Sequence, residues 1–307
     1  MASLAEQAID AVAGLYGRHE GYRAVHAKGR IYRGRFTATP AAAELTRAAH
    51  MQGSPVDVTV RLSNGSGNPT SHDGAPDGRG LATKFYLPDG SRTDIVAVTL
   101  PRFFVGNPED FVAFTRAQPK PPKLLAFMIR HPRTAMIAPE IQRTLRAVPS
   151  YANCRYNGIH AFRWLAPDGT SRYVRYSWIP EAGQEHLPSK EAMARERDFL
   201  QDEFAERLQR GPVRFTLRVQ IARDGDPVND PRAVWPADRE TIEAGTLEVI
   251  ERDTSRERGD DILVFDPTRV TDGIELSGDP ILNFRRPAYN VSIKRRSGVG
   301  LEDTGGE

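Results

Sequence analysis

The chain contains very little cysteine and no long apolar run. Cys154 is the one cysteine among 307 residues, so neither an intrachain disulfide nor a cysteine-based zinc cage can form. No stretch approaches the roughly 20 consecutive apolar residues of a membrane-spanning helix. Residues 1–14 lack the basic and apolar regions of a signal peptide. We therefore expect a cytoplasmic protein with no membrane partner, in which Cys154 is an inert core thiol.

An excess of one charge sign is also missing. Lys and Arg total 42 against 40 for Asp and Glu, which leaves a net charge of +2. No basic run alternates with aromatic residues as in a nucleic-acid groove, so nucleic acid is not an expected partner. The seven histidines include no pair at i, i+4 that would suggest a helix-borne zinc site. Gly65-Ser66-Gly67 lacks the third glycine of a dinucleotide-binding turn.

The periodicity of apolar residues changes along the chain. Alternation of apolar and polar residues predicts antiparallel strands, two pairs of them as hairpins, over residues 57–63, 81–87 with 94–100, 161–165 with 173–179, and 213–221. Helical spacing predicts a helix ending near Gly17 and further helices over residues 109–118, 123–137 and, after Ser189, a segment with Met193, Leu200, Phe204 and Leu208 on one face. Strands and helices come in blocks, which favours an α+β fold and a single domain over residues 1–307.

Seven short blocks, taken in order, resemble those of a known enzyme family. They are YRAVHAKG (22–29), VRLS (60–63), PDGRGLATKFY (76–86), TLPRFF (99–104), FDP (265–267), GIE (273–275) and RRPAY (285–289). The ordered set, which spans roughly residues 20 to 297, resembles the monofunctional haem catalases. Because the chain lacks the longer N-terminal arm and extra C-terminal helices of full-size catalases, it is most similar to the small catalase-related peroxidases.

This resemblance implies a catalase-like antiparallel β-barrel core with surrounding helices and a buried pocket for haem b. Tyr289 would be the axial ligand of the haem iron, bound as phenolate. Arg285 lies four residues earlier, so in a helix its guanidinium would lie on the same face and keep the phenolate anionic.

On the other side of the haem, His26 would move a proton between the two peroxide oxygens, which suits an imidazole. Ser63 would orient this imidazole. The resemblance also implies a set of cofactor-binding residues around the haem: Arg23, Arg61 and Arg296 on the propionates, and Val25, Phe104 and Phe111 lining the pocket.

One position departs from the family pattern. Where catalases have an asparagine beside the distal histidine, this chain has Thr99, whose hydroxyl has one donor hydrogen instead of two. Thr99 should therefore position peroxide less well, and disproportionation, which needs a second peroxide, should suffer most. We expect a haem peroxidase that reduces hydrogen peroxide or organic hydroperoxides with an organic electron donor, with weak catalase activity at most.

Three alternatives remain open at this point. A true catalase would disproportionate hydrogen peroxide, and an allene oxide synthase-like enzyme would isomerise fatty-acid hydroperoxides. Those isomerases have threonine before the distal histidine, whereas this chain has Val25. A haem carrier would need no acid/base residue, so His26 argues against it. The physiological reductant and the preferred hydroperoxide are left open, and a homodimer is a possible assembly.

Overall fold

The computed structural model describes residues 1–256 and 263–298. Its α-helices in this part of the chain are α1 (Leu4–Tyr16), α2 (Pro40–Leu45), α3 (Pro108–Ala117), α4 (Pro121–Arg130), α5 (Pro132–Thr144), α6 (Ser189–Ala194), α7 (Phe199–Gln209) and α8 (Pro280–Ser297). Its strands are β1 (Gly29–Ala38), β2 (Val56–Asn64), β3 (Arg79–Tyr86), β4 (Arg92–Val98), β5 (Tyr156–Asn157), β6 (Phe162–Leu165), β7 (Ser171–Pro180), β8 (Val213–Ile221), β9 (Thr241–Arg252) and β10 (Ile274–Leu276). Short 3-10 turns lie at Ala49–Met51, Tyr151–Asn153 and Thr254–Arg256.

The strands form one antiparallel sheet that closes on itself. The order is β10-β6-β7-β5-β4-β3-β2-β1-β9-β8, and an additional pairing of β7 with β8 completes a barrel of eight strands. β6 and β10 extend the sheet beyond β7. The predicted α+β fold with an antiparallel barrel and surrounding helices is confirmed. No helix in the described ranges is long and apolar enough to cross a membrane.

The barrel interior is packed with aromatic and aliphatic side chains. Phe36 makes edge-to-face contacts with Phe85 and Trp178, at ring-centroid separations of 5.2 and 6.0 Å. Gly245 allows this packing, because a Cβ there would lie 2.4 Å from the Phe36 ring. α7 covers part of the barrel through Phe204, which is fully buried. The interior is therefore a core and leaves no room for a cofactor inside the barrel.

The sequence predicted both hairpins correctly and misjudged two helical segments. The helix predicted over residues 123–137 is two helices, since α4 ends before His131 and α5 begins at Pro132, whose ring cannot continue the preceding helix. The segment after Ser189 is also two helices. Met193 is 51% exposed and does not share a buried face with Leu200 and Phe204. The chain leaves the helical conformation at Arg195, where ψ is 167°.

The outer face of β2 and β3 is the part of the barrel that positions the candidate site. Ser63 pairs with Gly80 and Arg61 pairs with Ala82, so these four residues share one face. Gly80 and Ala82 have at most a methyl side chain, so little side-chain volume covers the sheet at these two positions. On the other side of this region α1, α3 and α8 pack together through Ala8, Val112, Phe284 and their neighbours.

Candidate functional site

A hydrogen-bonded chain of four residues joins the start and middle of α8 to His160, which lies between β5 and β6. The Arg285 Nη1 donates to the Tyr289 hydroxyl at 2.9 Å, one helical turn away, as the spacing predicted. The Arg285 Nε donates to His160 Nε2 at 2.9 Å. His160 Nδ1 in turn contacts Asp279 Oδ2 at 2.6 Å. Asp279 is also the N-cap of α8, because its Oδ1 accepts the amide hydrogens of Ile281 and Leu282.

These contacts determine the tautomer of His160. An arginine nitrogen can only donate, so His160 Nε2 must be the acceptor and the hydrogen must lie on Nδ1, where it is donated to Asp279. Burial, followed by the charge of Arg285, lowers the pKa of His160 to about 4, so the ring is neutral at neutral pH. Asp279 orients the His160 ring, and the ring in turn orients the Arg285 guanidinium. Because the ring is neutral, it adds no charge beside the guanidinium.

His26 lies at the outer face of the barrel in an uncommon backbone conformation. Its φ is 55°, in the left-handed region that few non-glycine residues adopt. Two backbone hydrogen bonds hold it there, from the His26 amide to the Gly65 carbonyl and from the Ala27 amide to the Ser66 carbonyl, at 3.1 and 3.0 Å. The strained residue therefore has a fixed position next to β2.

The His26 imidazole is oriented by its contacts with β2 and β3. Its Nδ1 lies 3.0 Å from the Ser63 hydroxyl. Gly80 lies directly against the ring, since a Cβ at this position would come within 2.8 Å of both His26 Nδ1 and Ser63 Oγ. Only glycine leaves the imidazole in this place without displacement, so Gly80 belongs to the site as much as Ser63 does.

The electrostatic surroundings of His26 keep it neutral. Burial, followed by the positive charges of Arg61, Arg285 and Arg23, lowers the pKa of His26 to about 3, and a hydrogen bond with the Asn64 backbone opposes this shift. A neutral imidazole retains a nitrogen lone pair and can accept a proton. One of the charges that act on His26 is that of Arg285, the residue that donates a hydrogen bond to Tyr289.

Two of the three arginines expected to bind propionates meet at one point. Arg23 and Arg296 both donate to the Leu263 carbonyl, Arg296 at 3.4 Å. Arg61 is buried on β2, where its Nη2 donates to the Ala27 carbonyl at 3.4 Å. A Cβ on Gly29 would lie 2.7 Å from the Arg61 guanidinium carbon. Cationic groups thus flank the region that contains His26.

The apolar residues expected to line the pocket belong to a half-buried aromatic cluster. Phe104 and Phe111 have ring centroids 6.0 Å apart, and Phe104 also contacts Phe114 at 4.7 Å. The cluster continues to Ile281 on α8, four residues before Arg285. Val25 is 37% exposed. The aromatic cluster therefore lies next to α8. Val25 is the residue before His26 in the loop between α1 and β1.

Thr99 lies just after β4, and its side chain forms a hydrogen bond with the backbone. The Thr99 hydroxyl accepts the amide hydrogen of Arg79 at 3.1 Å. Its hydrogen remains available for donation, because a hydroxyl that accepts one hydrogen bond still has its own O–H. No hydrogen bond links Thr99 to His26 in the described part of the chain, so its role toward a peroxide stays a prediction.

Sequence reasoning missed three residues of this arrangement. The sequence analysis did not single out His160, which connects Arg285 with Asp279. Ile159, the residue before it, has a φ of 47°, a strained value for a β-branched side chain. Asp279 precedes Pro280, which is typical of a helix start but says nothing of His160. Gly80 was quoted within a motif without a reason, and its reason is the packing against His26.

These residues fit a haem group. Tyr289 offers an oxygen ligand with a cation beside it, and iron in haem is bound by such a ligand in one class of haem proteins. Arg23, Arg61 and Arg296 offer cations for carboxylates, and the aromatic cluster offers an apolar wall. Within the described residues no group of three or more His, Cys, Asp or Glu side chains is placed to hold a metal ion.

Comparisons with known proteins identify several relatives of this chain. The chain is 48% identical to a catalase-related peroxidase of Mycolicibacterium paratuberculosis, over 96% of this chain and 95% of that protein. It is 31% identical to a catalase-related peroxidase of Synechococcus elongatus, over 95% of this chain and 88% of that protein. A catalase, Catalase-2 of Bacillus subtilis, is 29% identical over 87% of this chain but only 42% of its own length.

The fold comparison and the family model lead to the same assignment. The crystal structure of a fungal catalase matches with a TM-score of 0.81 at 24% identity, over 95% of this chain and 62% of that one, which supports the fold alone. The catalase family model matches residues 18–303, nearly the whole chain. The chain belongs to the catalase family, and this membership implies a haem cofactor.

Proposed function

We propose that this protein is a haem b-dependent peroxidase that reduces hydrogen peroxide or organic hydroperoxides with an organic electron donor. The observation that carries the proposal is the hydrogen bond of Arg285 to the Tyr289 hydroxyl, together with an imidazole, His26, that Ser63 and Gly80 hold in place. The names of the two relatives at 48% and 31% identity support it. When bound, haem supplies the iron that accepts two oxidising equivalents from a peroxide.

Tyr289 would hold the iron through its phenol oxygen. The Arg285 guanidinium, 2.9 Å from that oxygen, favours the anionic form that a metal ligand needs. His160 and Asp279 act one step away, because they fix the guanidinium plane through its Nε. These hydrogen bonds connect Asp279, the N-cap of α8, to the proposed ligand Tyr289.

His26 would accept the proton of the bound peroxide and donate it to the departing oxygen. The first transfer needs a neutral ring, which the lowered pKa favours, and the second returns the same proton from the imidazolium that the first transfer forms. The Ser63 hydroxyl and Gly80 hold the ring in one orientation. Arg23, Arg61 and Arg296 would bind the propionates, and Val25, Phe104 and Phe111 would exclude water from the haem faces.

Thr99 bears on the class of reaction. Its hydroxyl accepts from the Arg79 amide and has a single O–H to donate to a peroxide. An asparagine amide would offer two donor hydrogens. The weaker positioning of a second peroxide supports peroxidase activity over disproportionation. A Thr99→Asn variant should gain oxygen evolution relative to the wild-type protein, and no gain would count against this explanation.

The test begins with the purified protein reconstituted with haem. Its optical spectrum establishes whether haem is bound through a phenolate, and stopped-flow mixing with hydrogen peroxide or cumene hydroperoxide follows. Oxidation of a dye reductant with little oxygen release supports the proposal. Release of one oxygen per two peroxides would indicate a true catalase, conversion of a fatty-acid hydroperoxide without dye oxidation would indicate an isomerase, and failure to bind haem would refute all three.

A His26→Asn variant separates the enzyme from a haem carrier. Asparagine tolerates the left-handed backbone conformation at this position, so the substitution removes the acid/base group with little strain. We expect haem binding to persist and peroxide reactivity to fall by about 100-fold or more. Unchanged reactivity would show that His26 moves no proton.

A further inference from the structure

The connection between β2 and β3, residues 65–78, begins with a backbone pair. The Gly65 amide donates to the Gly78 carbonyl at 2.8 Å. The last pair of the β2–β3 ladder is Asn64 with Arg79, so this hydrogen bond continues the pairing by one residue at each strand. The two ends of the connection are therefore held against each other at the edge of the barrel.

The next residue of the connection pairs with a side chain instead of a backbone carbonyl. The Ser66 amide donates to Asp77 Oδ2 at 2.9 Å. The Asp77 amide donates to the carbonyl of Leu145, the residue that ends α5, at 2.9 Å. Its side chain is mostly buried, with 19% of its surface exposed. Asp77 is thus tied to the chain after α5 and in turn holds Ser66.

The turn at residues 65–67 is in close contact both with Asp77 and with the loop that contains His26. A Cβ on Gly65 would lie 2.8 Å from Asp77 Oδ1, closer than real side chains approach. A Cβ on Gly67 would overlap the carbonyl oxygen of Ala24, two residues before His26. Displacement of the Asp77 carboxylate would therefore disturb the turn directly.

This turn holds His26 in its uncommon backbone conformation. The carbonyls of Gly65 and Ser66 accept the amide hydrogens of His26 and Ala27, and the φ of His26 is 55°. A residue with a Cβ pays an energetic cost in the left-handed region, so the conformation persists only where the surrounding contacts impose it. Both of these hydrogen bonds depend on the position of the two residues that Asp77 contacts.

The surroundings of Asp77 favour a carboxylate as the acceptor. Burial raises the pKa of Asp77, whereas the charge of Arg79 and the hydrogen bond with the Ser66 amide oppose this rise. The Arg79 Nη1 lies 3.7 Å from Asp77 Oδ2. A hydrogen bond from an amide to an ionised carboxylate is stronger than one to a neutral oxygen. Asp77 can therefore hold the turn more firmly than a neutral acceptor could.

We propose that Asp77 is a positioning residue for His26, because its carboxylate fixes the turn whose two carbonyls hold the backbone of the catalytic histidine. Asp77 acts through the backbone of the turn and contributes no group to the proton transfer. The proposal rests on the proposed function, since His26 transfers a proton only in a reaction with peroxide. It also gives the PDGRG segment (76–80) two tasks: Gly80 packs against the imidazole, and Asp77 holds the backbone that carries it.

The test compares Asp77→Ala, which removes the acceptor, with Asp77→Asn, which retains an acceptor oxygen without the charge. Hydrogen–deuterium exchange of a peptide that covers residues 23–28 reports on the hydrogen bonds of His26 and Ala27. In Asp77→Ala we expect this exchange to be about tenfold faster or more. The rate constant with hydrogen peroxide should fall by about tenfold or more, because the imidazole is displaced. Asp77→Asn should stay within about threefold of wild type in both measurements.

Asp168→Ala is the matched control. Asp168 accepts the Thr170 amide at 2.9 Å in the exposed turn between β6 and β7, so its substitution removes the same kind of contact outside the candidate site. It should change neither the exchange of residues 23–28 nor the peroxide rate. If Asp77→Ala fails to fold, Asp77→Glu retains the charge beside Arg79 while its longer side chain moves the oxygens from the Ser66 amide, and it should show the same two effects as Asp77→Ala.

Wild-type exchange of residues 23–28 in a folded Asp77→Ala or Asp77→Glu variant would overturn the proposal. Faster exchange with an unchanged peroxide rate would do so as well. If Asp77→Asn were as impaired as Asp77→Ala, the charge and not the acceptor would be responsible, which contradicts the proposal. A wild-type protein that binds haem but does not react with peroxide would refute the proposed function, whereas the exchange measurement would still decide whether Asp77 holds His26.

Discussion

Replacing Gly80 with alanine would place one methyl group against the imidazole of His26. The added Cβ would lie 2.8 Å from His26 Nδ1 and 2.8 Å from Ser63 Oγ, whereas ordinary contacts begin at 3.4 Å. The ring must therefore retreat by about 0.6 Å or more. The Nδ1–Oγ separation, now 3.0 Å, would lengthen beyond hydrogen-bonding distance.

The expected cost follows from the sensitivity of proton transfer to position. A misplacement of about 1 Å can lower a rate by about 100-fold, which corresponds to about 2.7 kcal/mol in the activation barrier. Haem binding should be retained, because Gly80 is not one of the residues that would hold the iron or the propionates. The Gly80→Ala variant should thus bind haem and react slowly with peroxide.

The assay is the stopped-flow rate constant for the reaction with excess hydrogen peroxide, measured beside haem content and the thermal unfolding midpoint. Ser63→Ala is the matched control, since it removes the same hydrogen bond without adding an atom, and it should cost less, about tenfold. A Gly80→Ala protein with normal haem content and a rate within about twofold of wild type would refute the reasoning.

Three further predictions concern other buried polar residues. Burial lowers the pKa of His50 to about 3, so between pH 3 and about 6.5 the unfolded chain binds a proton that the folded chain does not. Stability should fall as pH falls through this window, and His50→Phe should remove about 1.4 kcal/mol per pH unit of that dependence, measured by urea unfolding at pH 7 and 5. Lys28→Met leaves the Asp73 carboxylate buried without its 2.5 Å partner and should destabilise the protein by about 3–5 kcal/mol, with partial recovery in a Lys28→Met, Asp73→Asn double variant, followed by thermal unfolding. His160→Phe removes the acceptor of the Arg285 Nε–H and should accelerate haem loss, whereas His160→Gln, which can still accept, should retain haem better; transfer of haem to an apoprotein acceptor measures both.

Local sequence patterns were sufficient where the structure depends on neighbours in the chain. Both hairpins and β8 followed from alternation, and the Arg285-to-Tyr289 contact followed from helical spacing. The break between α4 and α5 depends on Pro132 alone and was available from the sequence, although it was not used.

Other parts of the site depend on contacts that no local pattern encodes. His160 and Asp279 are 119 residues apart, and nothing in the segments around them identifies the pair. Gly80 is required by the side chain of His26, which approaches from a different loop. The roles expected of the site residues came from the family resemblance and not from local patterns.

The residues on the two sides of the proposed haem come from distant parts of the chain. His26 lies before β1, and Tyr289 lies on α8, which packs against α1. Contacts of such long range carry a large loop-closure entropy and form late in folding, so the complete pocket can exist only after the barrel has closed. Haem would then bind the native topology and not a partly folded chain. Its binding free energy would add directly to the unfolding free energy, which makes haem supply a determinant of how long each folded molecule survives.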